Sequence, residues 1–125
     1  MNSYPTDDNA NRVRSVVDNL IGTEEADDVM IELMDSLTST STSSPSAGKY
    51  YVFVYNAKTP NIQFDSNPLV AVTDVFDWGF RGVNLHIGQY RNYTYNELVG
   101  ELYEVNSDEL SDVRELPFGK MQLNS

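Results

Sequence analysis

The chain has 125 residues, about the length of one domain, and its 19 acidic and 8 basic residues give a net charge of −11. This charge disfavours direct binding to nucleic acid or to an anionic membrane surface. Cysteine is absent and histidine occurs once, which excludes disulfides and cysteine nucleophiles and argues against a zinc site. The sequence has neither the apolar segment of a signal peptide nor an apolar run long enough to span a membrane. We therefore expect a soluble protein with no metal and no cofactor, whose partners are other proteins.

The first 37 residues predict a disordered tail followed by an acidic helical arm. Residues 1–10 hold few apolar side chains and are expected to be disordered. Over residues 11–37 apolar residues recur at helical spacing, and Gly22 separates two helices. The second helix is acidic on one face and apolar on the other. Its apolar stripe includes Val29, Met30, Leu33, Met34 and Leu37.

Residues 38–48, TSTSTSSPSAG, have the composition of a flexible linker. A short amphipathic helix pair cannot bury its apolar stripe alone, so it must fold back on the main domain or dock on another chain. We favour docking, because a flexible linker would let the arm reach outward. The five stripe residues are therefore predicted to bind a partner.

Residues 49–125 predict a β-rich domain. Alternating aromatic and β-branched residues indicate strands at 49–57, 69–78 and 79–87, with a hairpin turn at 77–79. Residues 88–94 are expected to form a loop, and Thr94 to cap a helix over 95–105. Further helical turns are expected at 107–116 and an edge strand at 117–124. The predicted fold is α+β, a small SH3-like or curled β-barrel with one packed helix, preceded by the arm on its linker.

The stretch GFRGVNLHIGQY, residues 79–90, holds three glycines and the histidine, His86. A phosphate-binding glycine loop requires a helix directly after it, and none is predicted here, nor is there a Gly-Lys-Ser/Thr motif. No acidic residue is placed beside His86 by spacing, so it is interpreted as a structural histidine rather than a base. The paired carboxylates on predicted helices are typical of solvated faces. From these patterns we expect a protein that is not an enzyme.

Tyrosines are concentrated in the second part of the chain. Tyrosine is enriched at protein interfaces, and Tyr90 and Tyr93 are predicted to contact a partner. Stacking on single-stranded nucleic acid is the alternative, but only Arg81 and Arg91 lie near this cluster.

Three segments, YYVFVYNAKTP, FDSNPLVAV and GFRGVNLHIGQYR, resemble a small protein family of T-even-like tailed phages, including cyanophages. Members of that family are mostly unassigned or counted as virion components. The resemblance covers about half of the chain and leaves the helical arm outside. It implies a shared core that includes Asp65, Gly82, Asn84 and His86.

The roles implied by the resemblance are structural. Gly82 is expected at a close approach of two backbones, and Asn84 at a side-chain hydrogen bond to a turn. His86 is expected to order a neighbouring loop, such as the one that carries Asp65.

The arm, the linker and the resemblance together predict a non-enzymatic phage virion protein, for example of the tail or baseplate, that docks on neighbouring phage subunits. The alternative is a small acidic phage regulator that binds host transcription or DNA-handling proteins through EEADDVMIELMDSL. The expected location is the virion or the host cytoplasm during infection.

Overall fold

The computed structural model describes residues 11–21, 25–56 and 67–116. These residues form helices and an antiparallel sheet, so the α+β class is confirmed. The helices are α1 (Arg12–Asp18), α2 (Ala26–Ser36) and α3 (Leu110–Val113), and short 3-10 turns cover Thr38–Thr40, Tyr95–Glu97 and Ser107–Glu109. The strands are β1 (Ser41–Thr42), β2 (Tyr50–Tyr55), β3 (Leu69–Val75), β4 (Gly79–Asn84), β5 (Gln89–Thr94) and β6 (Leu98–Val105).

The six strands lie in the order β1-β6-β2-β3-β4-β5, and each neighbouring pair is antiparallel. Strands β2 to β5 follow one another as a meander. The chain then turns at Tyr95–Glu97 and returns to place β6 beside β2. Register shifts at Val52/Val54 and at Val72/Asp74 mark bulges, which increase the twist and bend of a sheet.

The sheet curls strongly around a cluster of aromatic side chains. In a flat sheet β2 and β5 would lie about 14 Å apart, since adjacent strands are spaced by about 4.8 Å. Instead, the ring of Tyr93 on β5 lies 5.4 Å from Phe53 and 5.1 Å from Tyr55 on β2. The Tyr55 hydroxyl also accepts a hydrogen bond of 3.1 Å from the Thr94 N–H. The curled sheet remains open, because in the described chain β5 pairs only with β4 and β1 only with β6.

Alternate residues of the strands enter two separate cores. One face of the sheet buries the aromatic core: Tyr51, Phe53, Val70, Val72, Phe80, Tyr93 and Leu102. The other face packs against the helices. That helical core contains Val13, Val16, Val29, Met30, Leu33 and Leu37 together with Val52, Leu69, Leu85, Val105, Val113 and Leu116.

The helical arm therefore packs on its own sheet, and the predicted docking of its stripe on another chain is wrong. Val29, Leu33 and Leu37 are fully buried, Met30 is almost so, and Met34 packs against the same core. The physical reason is that the second face of the sheet is apolar and needs a cover. The stripe supplies that cover within the chain.

The predicted linker is ordered. Ser41 and Thr42 form β1 and pair with β6, and the Thr40 hydroxyl donates a hydrogen bond of 2.8 Å to the carbonyl of Glu104. The Ser46 N–H donates to the hydroxyl of Tyr51 at 2.9 Å. Hydrogen bonds between hydroxyl and backbone groups thus tie residues 38–48 to the sheet, and this segment, with a composition typical of linkers, forms a fixed strap.

A buried ion pair joins the two ends of the described chain. Arg12 on α1 donates from Nε to Oε2 of Glu109 at 2.7 Å and from Nη2 to Oε1 at 2.9 Å. The same guanidinium donates to the hydroxyl of Thr40 at 2.8 Å and to the carbonyl of Glu104 at 3.0 Å. Glu109 in turn caps its own 3-10 turn by accepting the Asn106 N–H at 2.8 Å.

Two predicted elements differ from the structure. The helix expected over 95–105 is a 3-10 turn followed by β6, because β2 offers an edge for pairing and Gly100 has φ +86°, which no helix interior adopts. The loop expected at 88–94 is strand β5, and the strand expected at 79–87 ends at Asn84. Helical turns within 107–116 are present as expected. The tail at 1–10, the strand at 117–124 and Asp65 lie outside the described residues.

No helix in the described part of the chain is both long and apolar enough to cross a membrane.

Candidate protein-interaction surfaces

The glycine-rich stretch is part of the sheet. It forms β4, the turn at residues 85–88 and the start of β5, and no helix follows the glycines. A Cβ added at Gly82 would collide with the carbonyl oxygen of Ala71 and lie 2.6 Å from a methyl of Val70. The backbones of β3 and β4 therefore approach closely at this point.

Asn84 and His86 are buried at the end of β4. The Asn84 Nδ2 donates to the hydroxyl of Tyr93 at 3.1 Å, and its Oδ1 accepts the N–H of His86 at 2.9 Å. These bonds fix the turn between β4 and β5 and tie it to the aromatic core. His86 is 1% exposed, so its side chain is shielded from solvent, and its predicted structural role stays a prediction.

The described residues contain no group of three or more histidine, aspartate or glutamate side chains placed to hold a metal ion.

The positive charges of Arg12 and Arg14 on α1 are neutralised by carboxylates. Hydrogen bonds to the carboxylates of Glu115 and, to a smaller extent, Asp18 raise the pKa of Arg14 above its ordinary value, so this side chain stays charged at all physiological pH values.

Of the residues predicted to bind a partner, Tyr90 alone lies on the surface, with 63% of its area exposed. Val29, Met30, Leu33 and Leu37 belong to the helical core, and Met34 is partly buried against it. Tyr93 is buried between Phe53 and Phe80 in the aromatic core, and its ring centroid lies 5.4 Å from each of theirs.

The hairpin between β3 and β4 carries an exposed aromatic pair. The rings of Phe76 and Trp78 are stacked, with centroids 5.0 Å apart and planes 6° from parallel, and they are 40% and 48% exposed. Val75 beside them is also exposed. We call residues 75–79 the aromatic hairpin.

The aromatic hairpin is held firmly at its base. The Phe76 N–H donates to the Gly79 carbonyl at 2.8 Å, and the Trp78 carbonyl accepts the Tyr95 N–H at 3.1 Å. The sequence placed Trp78 in this turn but gave no reason to expect its ring in solvent. The available signal was an aromatic residue on both sides of Asp77, in a turn too short to bury them.

A second feature of the surface is a groove beside β5, with a volume of about 460 Å³. We call it the β5 groove; it is lined by Thr73, Asp74, Arg81, Tyr90, Arg91 and Asn92. Arg81 donates from Nε to Oδ1 of Asn92 at 3.3 Å. The groove thus combines an exposed tyrosine with two arginines on an acidic protein.

No family model, no characterised protein and no solved structure matches this chain. The resemblance to T-even-like phage proteins therefore stays a prediction.

Proposed function

We propose that this protein is a non-enzymatic structural or assembly protein of a phage virion, and that it docks on a neighbouring subunit through the aromatic hairpin. The docking surface differs from the one predicted from the sequence, because the helical arm is committed to the core. The virion assignment rests on the sequence resemblance of residues 49–98.

The observation that supports docking is the stacked, solvent-exposed pair Phe76–Trp78. Tryptophan and other aromatic residues are enriched at the centres of protein interfaces, where they contribute large contact areas. The hairpin holds both rings in one arrangement before a partner arrives, which lowers the entropy lost on binding. An exposed apolar patch on a rigid turn is therefore a suitable anchor for another subunit.

We further propose an SH3-like arrangement for the sheet. Its support is the strand order β6-β2-β3-β4-β5, in which a meander is followed by a 3-10 turn that returns the last strand to the first. The contacts between β2 and β5 across the aromatic core bring the sheet toward closure. In this arrangement the aromatic hairpin and the Tyr95–Glu97 turn form one end of the curled sheet.

Mass spectrometry of purified virions tests the proposal. We expect the protein in the particles, and we expect Trp78→Ser together with Phe76→Ser to lower its incorporation by at least about tenfold, as for a lost interface anchor. Ile31→Ser is the matched control, since Ile31 is an apolar side chain that is 61% exposed on another face. Absence of the wild-type protein from particles contradicts the virion role, and normal incorporation of the double variant contradicts the docking site.

The regulator of host proteins remains a second candidate because the outer face of α2 is acidic and exposed. Asp28, Glu32 and Asp35 all face solvent on this helix. A pull-down from infected lysate should recover a host transcription or DNA-handling protein, and Glu32→Lys with Asp35→Lys should abolish its capture. Failure to recover any salt-sensitive host partner contradicts this candidate.

A further inference from the structure

We infer that the edge of β5 that no described strand covers, together with the β5 groove, binds an extended peptide segment of a partner protein that carries an acidic side chain, by strand addition. This surface is separate from the aromatic hairpin and does not depend on the virion role.

The first observation is that β5 is an edge strand with outward-facing backbone groups. The Tyr95 N–H points back to the carbonyl of Trp78, and the Thr94 N–H points away from β4 to the hydroxyl of Tyr55. Backbone groups alternate in direction along a strand, so those of Asn92 and Tyr90 also point away from β4. In the described chain no other strand pairs with this edge.

The second observation is that the edge is accessible over its length. Residues 89–92 are all exposed, and burial begins only at Tyr93. An exposed strand edge presents unpaired N–H and C=O groups to which an extended peptide can add as a further strand. The Thr94 N–H, already bonded to Tyr55, marks where such pairing would end.

The third observation is charge. The chain has 19 acidic residues against 8 basic ones, and the described ion pairs of Arg12, Arg14 and Lys49 neutralise those three cations. Among the described residues, Arg81 and Arg91 form no ion pair. The carboxylate of Asp74, which also lines the groove, accepts a hydrogen bond from the hydroxyl of Thr73 at 2.9 Å. The β5 groove therefore offers two available guanidinium groups on a protein that is otherwise strongly acidic.

The open strand edge and the arginines of the groove indicate which chemical groups a bound peptide should carry. Guanidinium groups bind carboxylates through paired, charge-assisted hydrogen bonds. Because like charges repel, the net charge of −11 disfavours a partner protein that is acidic over its whole surface. An acidic side chain presented locally on an extended strand can reach an arginine of the groove within the screening distance, which is about 8 Å at physiological salt. Tyr90 supplies an apolar surface against which a neighbouring side chain of the peptide can pack.

The test uses the full chain and a short fluorescein-labelled peptide of alternating valine and threonine with one glutamate at its centre. We expect saturable binding by fluorescence anisotropy, weakened by added NaCl, and weaker binding of the matching peptide with lysine in place of the glutamate. Absence of binding up to about 1 mM glutamate peptide, or equal binding of both peptides, overturns the inference.

Two variants separate strand addition from simple charge attraction. Asn92→Pro removes an outward N–H without removing a backbone bond to β4, a position where an edge strand tolerates proline, and it should abolish binding. It also removes the Oδ1 that accepts a hydrogen bond from Arg81, so Asn92→Ala, which lacks the same oxygen but keeps the N–H, is the matched control and should retain binding. Arg81→Glu with Arg91→Glu should weaken binding by about tenfold, the effect of two surface ion pairs near the top of their usual range. Lys49→Glu, a charge reversal at an exposed cation directly before β2, is the control and should leave binding within about twofold. Unchanged binding by Asn92→Pro overturns strand addition.

Amide hydrogen exchange provides a readout that does not rely on variants. Peptide should slow exchange at the amides of Tyr90 and Asn92, which point outward, and leave those of Arg91 and Tyr93 unchanged. Slower exchange at Tyr90 and Asn92 on raising protein concentration without peptide overturns the inference, because it identifies a second copy of this chain as the occupant.

Discussion

At the scale of single residues, Arg12 is the side chain on which the fold depends most clearly. Its guanidinium bonds to Glu109, Thr40 and the carbonyl of Glu104, so it joins α1 to the strap, to β6 and to the turn before α3. A buried charge is tolerated only when it is paired and hydrogen-bonded. The network makes the position of α1 specific, since no other placement offers the guanidinium the same partners.

Arg12→Met should lower the free energy of unfolding by about 3–5 kcal/mol, because Glu109 would be left buried without its partner. Urea denaturation measures this. Arg14→Met, at a half-exposed arginine of the same helix, should shift the urea midpoint much less than Arg12→Met does. The double variant Arg12→Met with Glu109→Met should be more stable than either single variant, since it leaves no orphan charge. Equal costs for Arg12→Met and Arg14→Met would contradict the role given to Arg12.

Gly82→Ala should destabilise the protein by about 1–3 kcal/mol, because the added methyl enters the contact between β4 and β3. Thermal and urea unfolding both report the loss. Gln89→Ala, at an exposed position of β5, is the control and should change stability by less than about 0.5 kcal/mol. A neutral result for Gly82→Ala would mean that the two backbones can separate without penalty.

At the scale of elements, α2 shows why an amphipathic helix does not identify its own partner. Its apolar stripe is equally suited to a neighbouring subunit and to the sheet of its own chain. What decides is the second apolar face of the sheet, which carries Val52, Leu69 and Val105 and has to be covered. The charged face of α2 remains in solvent in either case.

Leu33→Ala in the isolated protein should lower the free energy of unfolding by about 2–5 kcal/mol, as for a leucine removed from a packed core. Ile31→Ala on the same helix should change it by less than about 0.5 kcal/mol, since this side chain is mainly exposed. The comparison is made by urea denaturation of each variant. Full stability of Leu33→Ala would show that the stripe is not packed on the sheet in solution.

At the scale of the whole molecule, the helices and one face of the sheet together form the helical core. The helical core draws residues from α1, α2, α3 and three strands, so no helix can leave without exposing the sheet. The aromatic core on the opposite face depends on the curl of the same strands. We therefore expect one cooperative unit in place of the separate arm and β domain indicated by composition.

Urea unfolding followed by far-UV circular dichroism and by the near-UV signal of the buried tyrosines should give coincident transitions. The physical reason is that Tyr51 and Phe53 alternate with Val52 on one strand, so the aromatic and helical cores lose their shared scaffold together. Loss of helical signal at lower urea than the tyrosine signal would indicate an arm that detaches from the sheet.

Patterns that act over a few residues were predictable from sequence alone. The spacing of apolar residues predicted α1 and α2, and alternation predicted β2, β3 and the start of β4. No helix directly follows the glycines of residues 79–88, as the sequence predicted. These predictions hold because side-chain periodicity follows directly from the geometry of a helix or a strand.

Only the tertiary structure decided where the apolar faces go. Polar and apolar residues alternate poorly over residues 98–105, and Thr94 shortly before them was expected to cap a helix. These residues nevertheless form β6, because β2 provides an edge with which they pair. The hydroxyl-rich strap is ordered because Arg12, Tyr51 and Glu104 lie within reach of its polar groups. The aromatic hairpin and the β5 groove depend in the same way on which strands become neighbours. The sequence by itself determines which segments of this protein are amphipathic helices and strands. Packing between residues far apart in the sequence determines which of these elements contact each other, and hence which surfaces remain for other proteins.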